Sequence, residues 1–290
     1  MKSIELFIFH KQVLESLFPK DWFAKASDEN HEALQQYKLC DKIIAHSGFI
    51  KYPEQANELA VAGKILLDAF LLSTITSGDM GKLIVGALNY GGKKVQRKIL
   101  QRFPDSQQFQ DIMVELYVGA WHITKKNTVT PLETDGYPDI KVNFSNSSDV
   151  AYIECKHLRT KDERRIADVI SKANTQLENT KTDCYGCLVL DATIPINAGS
   201  VKDDVLPLEA SEIIKIVQSS LSGEENKAIG SAVLVWDYYM IMGVPPKKTG
   251  IALRRRFQRI DHRNPKKVIP TSISLFEGFT TYYSLHWVPR

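Results

Sequence analysis

Tyr137-Pro138-Asp139 is followed, about fifteen residues later, by Ile153-Glu154-Cys155-Lys156. The two strings supply two carboxylates and one ammonium. Carboxylates held side by side repel and raise each other's pKa. A hard divalent cation relieves that conflict, and Mg²⁺ takes oxygen ligands octahedrally while keeping several waters. Such a metal would polarise a phosphoryl oxygen and lower the pKa of a bound water. Lys156 could orient or help deprotonate that water and offset charge in the transition state. The main-chain carbonyl of Cys155 is a natural extra ligand. The chemistry indicated is metal-assisted cleavage of a phosphodiester.

The elements that must position these groups can be read locally. Asp139 to Phe144 alternates Ile140, Val142 and Phe144 with Asp139, Lys141 and Asn143, a strand pattern. Ser145-Asn146-Ser147-Ser148 is a turn, and Val150 to Lys156 is a second strand, so the pair reads as a hairpin. Side chains on a strand alternate faces. Glu154 and Lys156 therefore share a face with Val150 and Tyr152, and the Cys155 thiol points to the other. Antiparallel pairing through the turn brings Asp139, at the start of the first strand, beside Glu154 and Lys156. A bare E-x-K is often a surface ion pair; the Pro-Asp at hairpin distance, the apolar lead-in and the helix that follows raise this one above that.

The flanking segments are helical. Pro104-Asp105-Ser106 reads as a break and an N-cap. Gln107 to Trp121 follows, with Phe109, Ile112, Met113, Leu116 and Ala120 as its apolar stripe and Glu115 beside that stripe. Lys125 to Gly136 is a polar loop or edge strand. Lys161 to Asn179 is helical, with Ile166, Val169, Ile170, Ala173 and Leu177 inward. Tyr185 to Leu190, ending in Asp191, is a buried strand. Leu208 to Leu221 is another amphipathic helix, and Ser231 to Met242 another apolar strand. This order predicts an α/β fold: a mixed central sheet flanked by helices. The chain before it is expected to be helical, with helices at Gln55–Leu72 and Lys82–Leu100. Lys93, Lys94, Arg97, Lys98 and, just past the second of these, Arg102 follow in close order and are expected to form a solvated face. The division expected is an N-terminal helical extension over 1–105 and a catalytic domain with a basic C-terminal segment over 106–290.

Gly136-Tyr137-Pro138-Asp139 with Glu154-Cys155-Lys156 resembles the PD-(D/E)xK superfamily of restriction endonuclease-like nucleases. The resemblance covers roughly Gln107 to Asp191. It implies a core of a helix, a hairpin-like run of strands, a helix and a further strand. It implies Asp139 and Glu154 as metal ligands with the Cys155 carbonyl, and Lys156 as the catalytic lysine. It adds Glu115, on the first helix, as an accessory ligand. It adds Gln176, on the inward stripe of the helix after the lysine strand, to position water or phosphate. The implied cofactor is Mg²⁺, with Mn²⁺ as its alternative. The implied activity is a metal-binding, DNA-binding endonuclease, a hydrolase of the effector, defence or restriction type. The alternative is a catalytically inactive nuclease-like protein that binds nucleic acid or acts as a scaffold.

Between Pro246 and Pro270 stand Lys247, Lys248, Arg254, Arg255, Arg256, Arg259, Arg263, Lys266 and Lys267, with Phe257 and His262 among them. Clustered cations are the footprint of phosphate-backbone binding, so this segment is the candidate nucleic-acid surface, DNA before RNA. The formal charge of +3 permits such a partner without demanding one. The N-terminal helical region is the candidate surface for a protein partner. No G-x-x-x-x-G-K-[ST] loop is present, which argues against an intrinsic nucleotide triphosphatase. Cys184-Tyr185-Gly186-Cys187 lacks the further ligands of a zinc site and is expected to pack in the core. His122 and His157 lie near the motif in sequence without an assigned role. Four scattered cysteines make no disulfide framework. No signal peptide is readable, and no run approaches the roughly 18 apolar residues of a membrane span. A cytoplasmic protein with no membrane partner is expected.

Overall fold

The structure, a computed structural model, describes residues 3–18, 21–26, 31–46, 49–51, 56–76, 106–132, 136–180, 184–193, 206–242, 250–271, 273–277, 279–283 and 286–288. The helix expected at Lys82–Leu100 lies outside the described residues, with its cations Lys93, Lys94, Arg97 and Lys98. So do Arg102, the break at Pro104 and Asp105, and Lys247 and Lys248.

The described helices are α1 (Ser3–Leu17), α2 (Trp22–Lys25), α3 (Glu32–Ala45), α4 (Ala56–Thr76), α5 (Ser106–Thr124), α6 (Glu163–Glu178) and α7 (Leu208–Leu221). The strands are β1 (Phe49–Lys51), β2 (Thr128–Pro131), β3 (Ile140–Asn143), β4 (Val150–His157), β5 (Tyr185–Asp191), β6 (Ser231–Met242), β7 (Gly250–Asp261), β8 (Phe279–Tyr283) and β9 (His286–Val288). Among the described residues no helix is long and apolar enough to cross a membrane.

The chain forms two compact units. One comprises Met1–Met113, Tyr238–Arg254 and Thr280–Arg290; the other comprises Val114–Asp237 and Arg255–Phe279. Two later segments, 238–254 and 280–290, belong to the first unit.

In the first unit α1 packs against α3 and α4, with Leu6, Phe7, Leu14, Leu34, Ile43, Ile65 and Leu66 buried between them. Phe18 gathers Trp22, Phe23, His31 and Phe109 into an aromatic cluster. His10 is fully buried and shares a hydrogen bond with Gln36 at 2.8 Å. Burial pulls its imidazole below the ordinary value, so it is held neutral. Strands β1 and β9 pair in parallel.

The second unit is the mixed α/β body. In it β2–β3 and β3–β4 pair antiparallel, and β4–β5 and β5–β6 pair in parallel. The parallel steps follow from the helices that intervene, α6 and α7, since a parallel pair needs a crossover. Every residue of β5 is buried, as its unbroken apolar run requires of a strand covered on both faces. Helix α6 begins at Asp162, whose carboxylate accepts the Arg165 N–H at 3.0 Å. It buries Ile166, Ile170, Ala173, Asn174 and Leu177. Asn174 is satisfied at both ends: its amide donates to Glu225 O at 2.8 Å and its oxygen accepts from Ala228 N at 2.9 Å. Gly186 is fixed by close approach, since a Cβ there would lie 2.0 Å from the Ala228 carbonyl oxygen. The segment read as a loop or edge strand is an edge strand at β2.

Candidate active site

The site is built by the β3–β4 hairpin. Their register pairs Ile140 with Ile153, Lys141 with Tyr152, Val142 with Ala151 and Asn143 with Val150. One step further sets Asp139, just before β3 begins, opposite Glu154. The Asp139 Oδ2 accepts the Cys155 N–H at 2.7 Å. In a strand a residue's N–H and C=O leave on the same side, because paired residues exchange both bonds. The Cys155 carbonyl therefore leaves towards Asp139 as well, as a candidate ligand must. The Cys155 side chain is fully buried. Burial, then the charges of Asp139, Glu115 and Glu154, push its thiol well above the ordinary range, with Lys156 opposing. A thiolate nucleophile is not available there.

Glu154 is buried to 0% exposure, and the Lys156 ammonium meets its Oε1. No hydrogen bond of ordinary geometry reaches either Glu154 oxygen among the described residues. Burial first, and the neighbouring Asp139 charge second, push the Glu154 carboxyl up to about 8, against the pull of Lys156. Asp139 and Lys156 are half-buried, so the pair is open to solvent on one side. Glu115 sits half-buried on α5, near enough for its charge to be felt at Cys155.

Gln176 is placed differently from the role the resemblance implies. Its amide donates to Tyr137 O at 3.0 Å. One turn on, Asn179 donates to Gly136 O at 2.7 Å. Gly136 has φ of 82°, a conformation that glycine alone adopts without strain. The two amides, one in the last turn of α6 and one at its C-cap, hold the loop that delivers Asp139. Asn179 was not singled out from the sequence, although a polar residue one helical turn after Gln176 was the available signal.

The oxygens that the sequence proposes as donors are those of two carboxylates, a strand carbonyl and the Glu115 carboxylate. Among the described residues no group of three or more His, Cys, Asp or Glu side chains is arranged to hold a metal ion. Mg²⁺ is commonly bound by one or two carboxylates, waters and substrate phosphate oxygens. The buried Glu154 oxygens, with their raised pKa, are what a cation would relieve. The residues fit that group on these grounds.

The basic segment is divided by the fold. Arg255 is 2% exposed, binds Asp237 through Nε at 2.7 Å and Nη2 at 2.6 Å, and lies 4.2 Å from the Tyr117 ring centre. It has no surface to offer a nucleic acid, so its place in that set is corrected: an acid inside an apolar strand required a buried cation. Arg259 binds Asp261 at 2.7 Å and the carbonyls of Ile269, Pro270 and Ile273. Arg254 donates to the Tyr238 hydroxyl at 3.2 Å, and Arg256 is half-buried. Lys266 pairs with Glu178 at 3.3 Å, and Lys267 lies over the Tyr185 ring. Arg263 is exposed, as is Phe257.

His122 is fully buried and shares a hydrogen bond with Asn127 at 3.2 Å. Burial drives its pKa down to about 3, so it is a neutral packing residue. His157 lies on the face of β4 opposite Glu154 and Lys156, with Nδ1 3.5 Å from Asp191 Oδ2. Cys187 is buried and Cys184 half-buried, both as free thiols.

No protein-family model matches the chain, and no curated protein matches it. Among solved structures it is similar to the central domain of yeast acetyl-CoA carboxylase, at 13% identity and a TM-score of 0.29, over 57% of this chain and 28% of that one. A likeness at that level carries no argument about fold or activity.

Proposed function

We propose that the chain is a metal-dependent nuclease that hydrolyses phosphodiester bonds, with DNA as the substrate and Asp139, Glu154 and Lys156 as its centre. The observation that carries this reading is the buried Glu154 carboxyl, set against Asp139 by strand register, touched by Lys156 and raised to about 8. The order of elements, α5, β2, β3, β4, α6 and β5, supports the resemblance to PD-(D/E)xK nucleases. Asp139, Glu154 and the Cys155 carbonyl would hold Mg²⁺ or Mn²⁺, with Glu115 as an accessory ligand. When bound, that ion would supply a water of lowered pKa and charge stabilisation at the phosphoryl oxygens. Lys156 carries the ammonium that orients the attacking water and offsets developing charge. Asp139 is held by the Cys155 N–H, and its loop by Gln176 and Asn179, so the acid is oriented before substrate arrives.

The test is cleavage of plasmid, linear DNA and RNA with Mg²⁺ or Mn²⁺, with and without chelator. The chain is expected to cut DNA in a chelator-sensitive way.

A second reading is favoured by one observation. Glu154 meets Lys156, and one Asp139 oxygen is taken by the Cys155 N–H, so both acids have partners within the chain. In that reading the chain binds nucleic acid, or acts as a scaffold, without turnover. DNA binding by the wild-type chain with no cleavage under either metal would select it.

A further inference from the structure

We infer that the open face of β2, β3 and β4 is where the backbone of the cleaved strand lies, and that Lys141, set between Thr130 and Tyr152, grips a phosphate next to the bond that is cut. This rests on the nuclease reading and adds a binding site to it.

The register defines the face. Thr130 pairs with Lys141, and Lys141 with Tyr152, so the three form one row across the strands. Thr128, Asn143 and Val150 form the next row, further from the carboxylates. Directly opposite residues on neighbouring strands share a face, as do residues two apart on one strand. Asp139 stands two residues before Lys141, and Glu154 two residues after Tyr152. The rows and the carboxylates therefore share one face. At about 3.4 Å per residue, Lys141 lies about 7 Å along the strand from Asp139. Phosphates on one strand of a duplex recur every ~3.4 Å of helix axis, so an ammonium at that distance is within reach of a phosphate flanking the scissile one.

Burial separates this face from its reverse. On the reverse, Val142, Ala151 and Ile153 are fully buried. Val129, between the two threonines, lies against α5: a Cβ at Gly119 would be 3.7 Å from its Cγ1. On the near face Thr128 and Thr130 are exposed, and Lys141, Asn143 and Tyr152 are half-buried. Helix α6 packs on β4 and β5. There a Cβ at Gly186, the register partner of Tyr152, would lie 3.5 Å from Leu177. The near face is thus covered over β5 and open from β4 to the edge strand β2. One wet face is usual for antiparallel strands, so its composition is what points to a ligand. Along β2, β3 and β4 it carries no carboxylate other than Glu154, with Asp139 beside it. Its polar groups are ammonium, hydroxyl, amide and phenol, all able to donate to phosphate oxygens. Among the described residues Lys141 makes no ion pair and no side-chain hydrogen bond. A cation flanked by neutral donors, continuous with the carboxylates, complements a polyanion that enters the site.

The experiment is fluorescence anisotropy of the full-length chain in EDTA, with labelled duplexes of two unrelated sequences across a salt series, followed by cleavage kinetics in Mg²⁺. Lys141→Gln is expected to weaken binding about tenfold at low salt on both sequences. It should also reduce the slope of log affinity against log salt by about 0.9, the share of one phosphate contact. Lys141→Arg keeps the charge and is expected to stay within about twofold of wild type. Tyr152→Phe loses one neutral donor and is expected to weaken binding about 2- to 12-fold with the slope unchanged. Lys215→Ala removes the same charge from an exposed position on α7 and should leave the slope as in wild type. In Mg²⁺, Lys141→Gln should raise KM and keep kcat, as loss of uniform binding does. A salt slope unaltered in Lys141→Gln, or lowered equally by Lys215→Ala, overturns the phosphate grip. If wild type still cleaves with Mg²⁺, the nuclease reading survives that failure. The predicted loss of slope in a chain whose wild type never cleaves supports the grip and removes the nuclease reading. If wild type binds only with Mg²⁺, an unchanged KM in Lys141→Gln overturns the grip. A wild-type chain that binds no duplex and cuts none overturns both.

Discussion

The Asp139 carboxylate accepts the Cys155 backbone N–H at 2.7 Å, which joins the start of β3 to the strand that carries Glu154 and Lys156. Asp139→Asn keeps an acceptor oxygen and removes the charge. Its stability is expected to match wild type, while Asp139→Ala loses about 1 kcal/mol for the hydrogen bond. Because the Asp139 charge helps raise Glu154, the Asn variant should also lower the Glu154 pKa. A titration of the Glu154 carboxyl by ¹³C NMR checks both the contact and its sign.

Glu154 makes stability depend on pH in an uncommon direction for a carboxylate. Its folded pKa is about 8, against an ordinary 4.5, so between those values the folded chain binds the extra proton. Stability is then unaffected by this group below about pH 4.5, falls as pH rises towards 8, and stays lowered above it. Glu154→Gln should abolish that fall and melt higher than wild type at pH 8. Mg²⁺ should raise the wild-type midpoint more at pH 8 than at pH 5, and should not do so in Glu154→Gln. Thermal midpoints across pH, with and without Mg²⁺, provide the measurement.

Gln176 acts through the loop. Gln176→Ala loses the bond to Tyr137 O and is expected to lose about 1 kcal/mol of stability. Amide exchange should quicken at Gly136 to Asp139 and stay unchanged along β5. Activity should fall less than in Lys156→Ala. A residue that only positioned water would leave the exchange rates unaltered.

Arg255 and Arg263 should separate by what they disturb. Removing one partner of a buried ion pair costs about 3–5 kcal/mol, so Arg255→Ala or Asp237→Ala should unfold at much lower denaturant. Arg263→Ala, at an exposed position, should change stability by no more than about 0.5 kcal/mol. If the exposed cations contact phosphate, it should also lower DNA affinity and reduce the salt slope. Denaturant titration and salt-dependent binding check the pair.

What could be read from the sequence was what is local. Asp139, Glu154 and Lys156 meet through a hairpin whose turn and alternation lie within one short segment, so period two was enough. Tyr185–Asp191, Leu208–Leu221 and Ser231–Met242 were legible because each carries one unbroken period. Arg255 was not, because its burial depends on Asp237, on a different strand. Gln176 was placed on the right stripe, but which atom its amide reaches depends on how the loop before Asp139 lies on α6. The return of 238–254 and 280–290 to the first unit is a long-range property with no local signal.

The central claim is that Asp139, Glu154 and Lys156 cut phosphodiesters with a divalent metal. The most direct measurement compares Mg²⁺-dependent cleavage of plasmid and linear DNA by wild type and by the Glu154→Ala, Lys156→Ala double variant, both shown to be folded by circular dichroism. The expected result is chelator-sensitive cleavage by wild type and none by the double variant. Undiminished cleavage by the double variant would contradict the account.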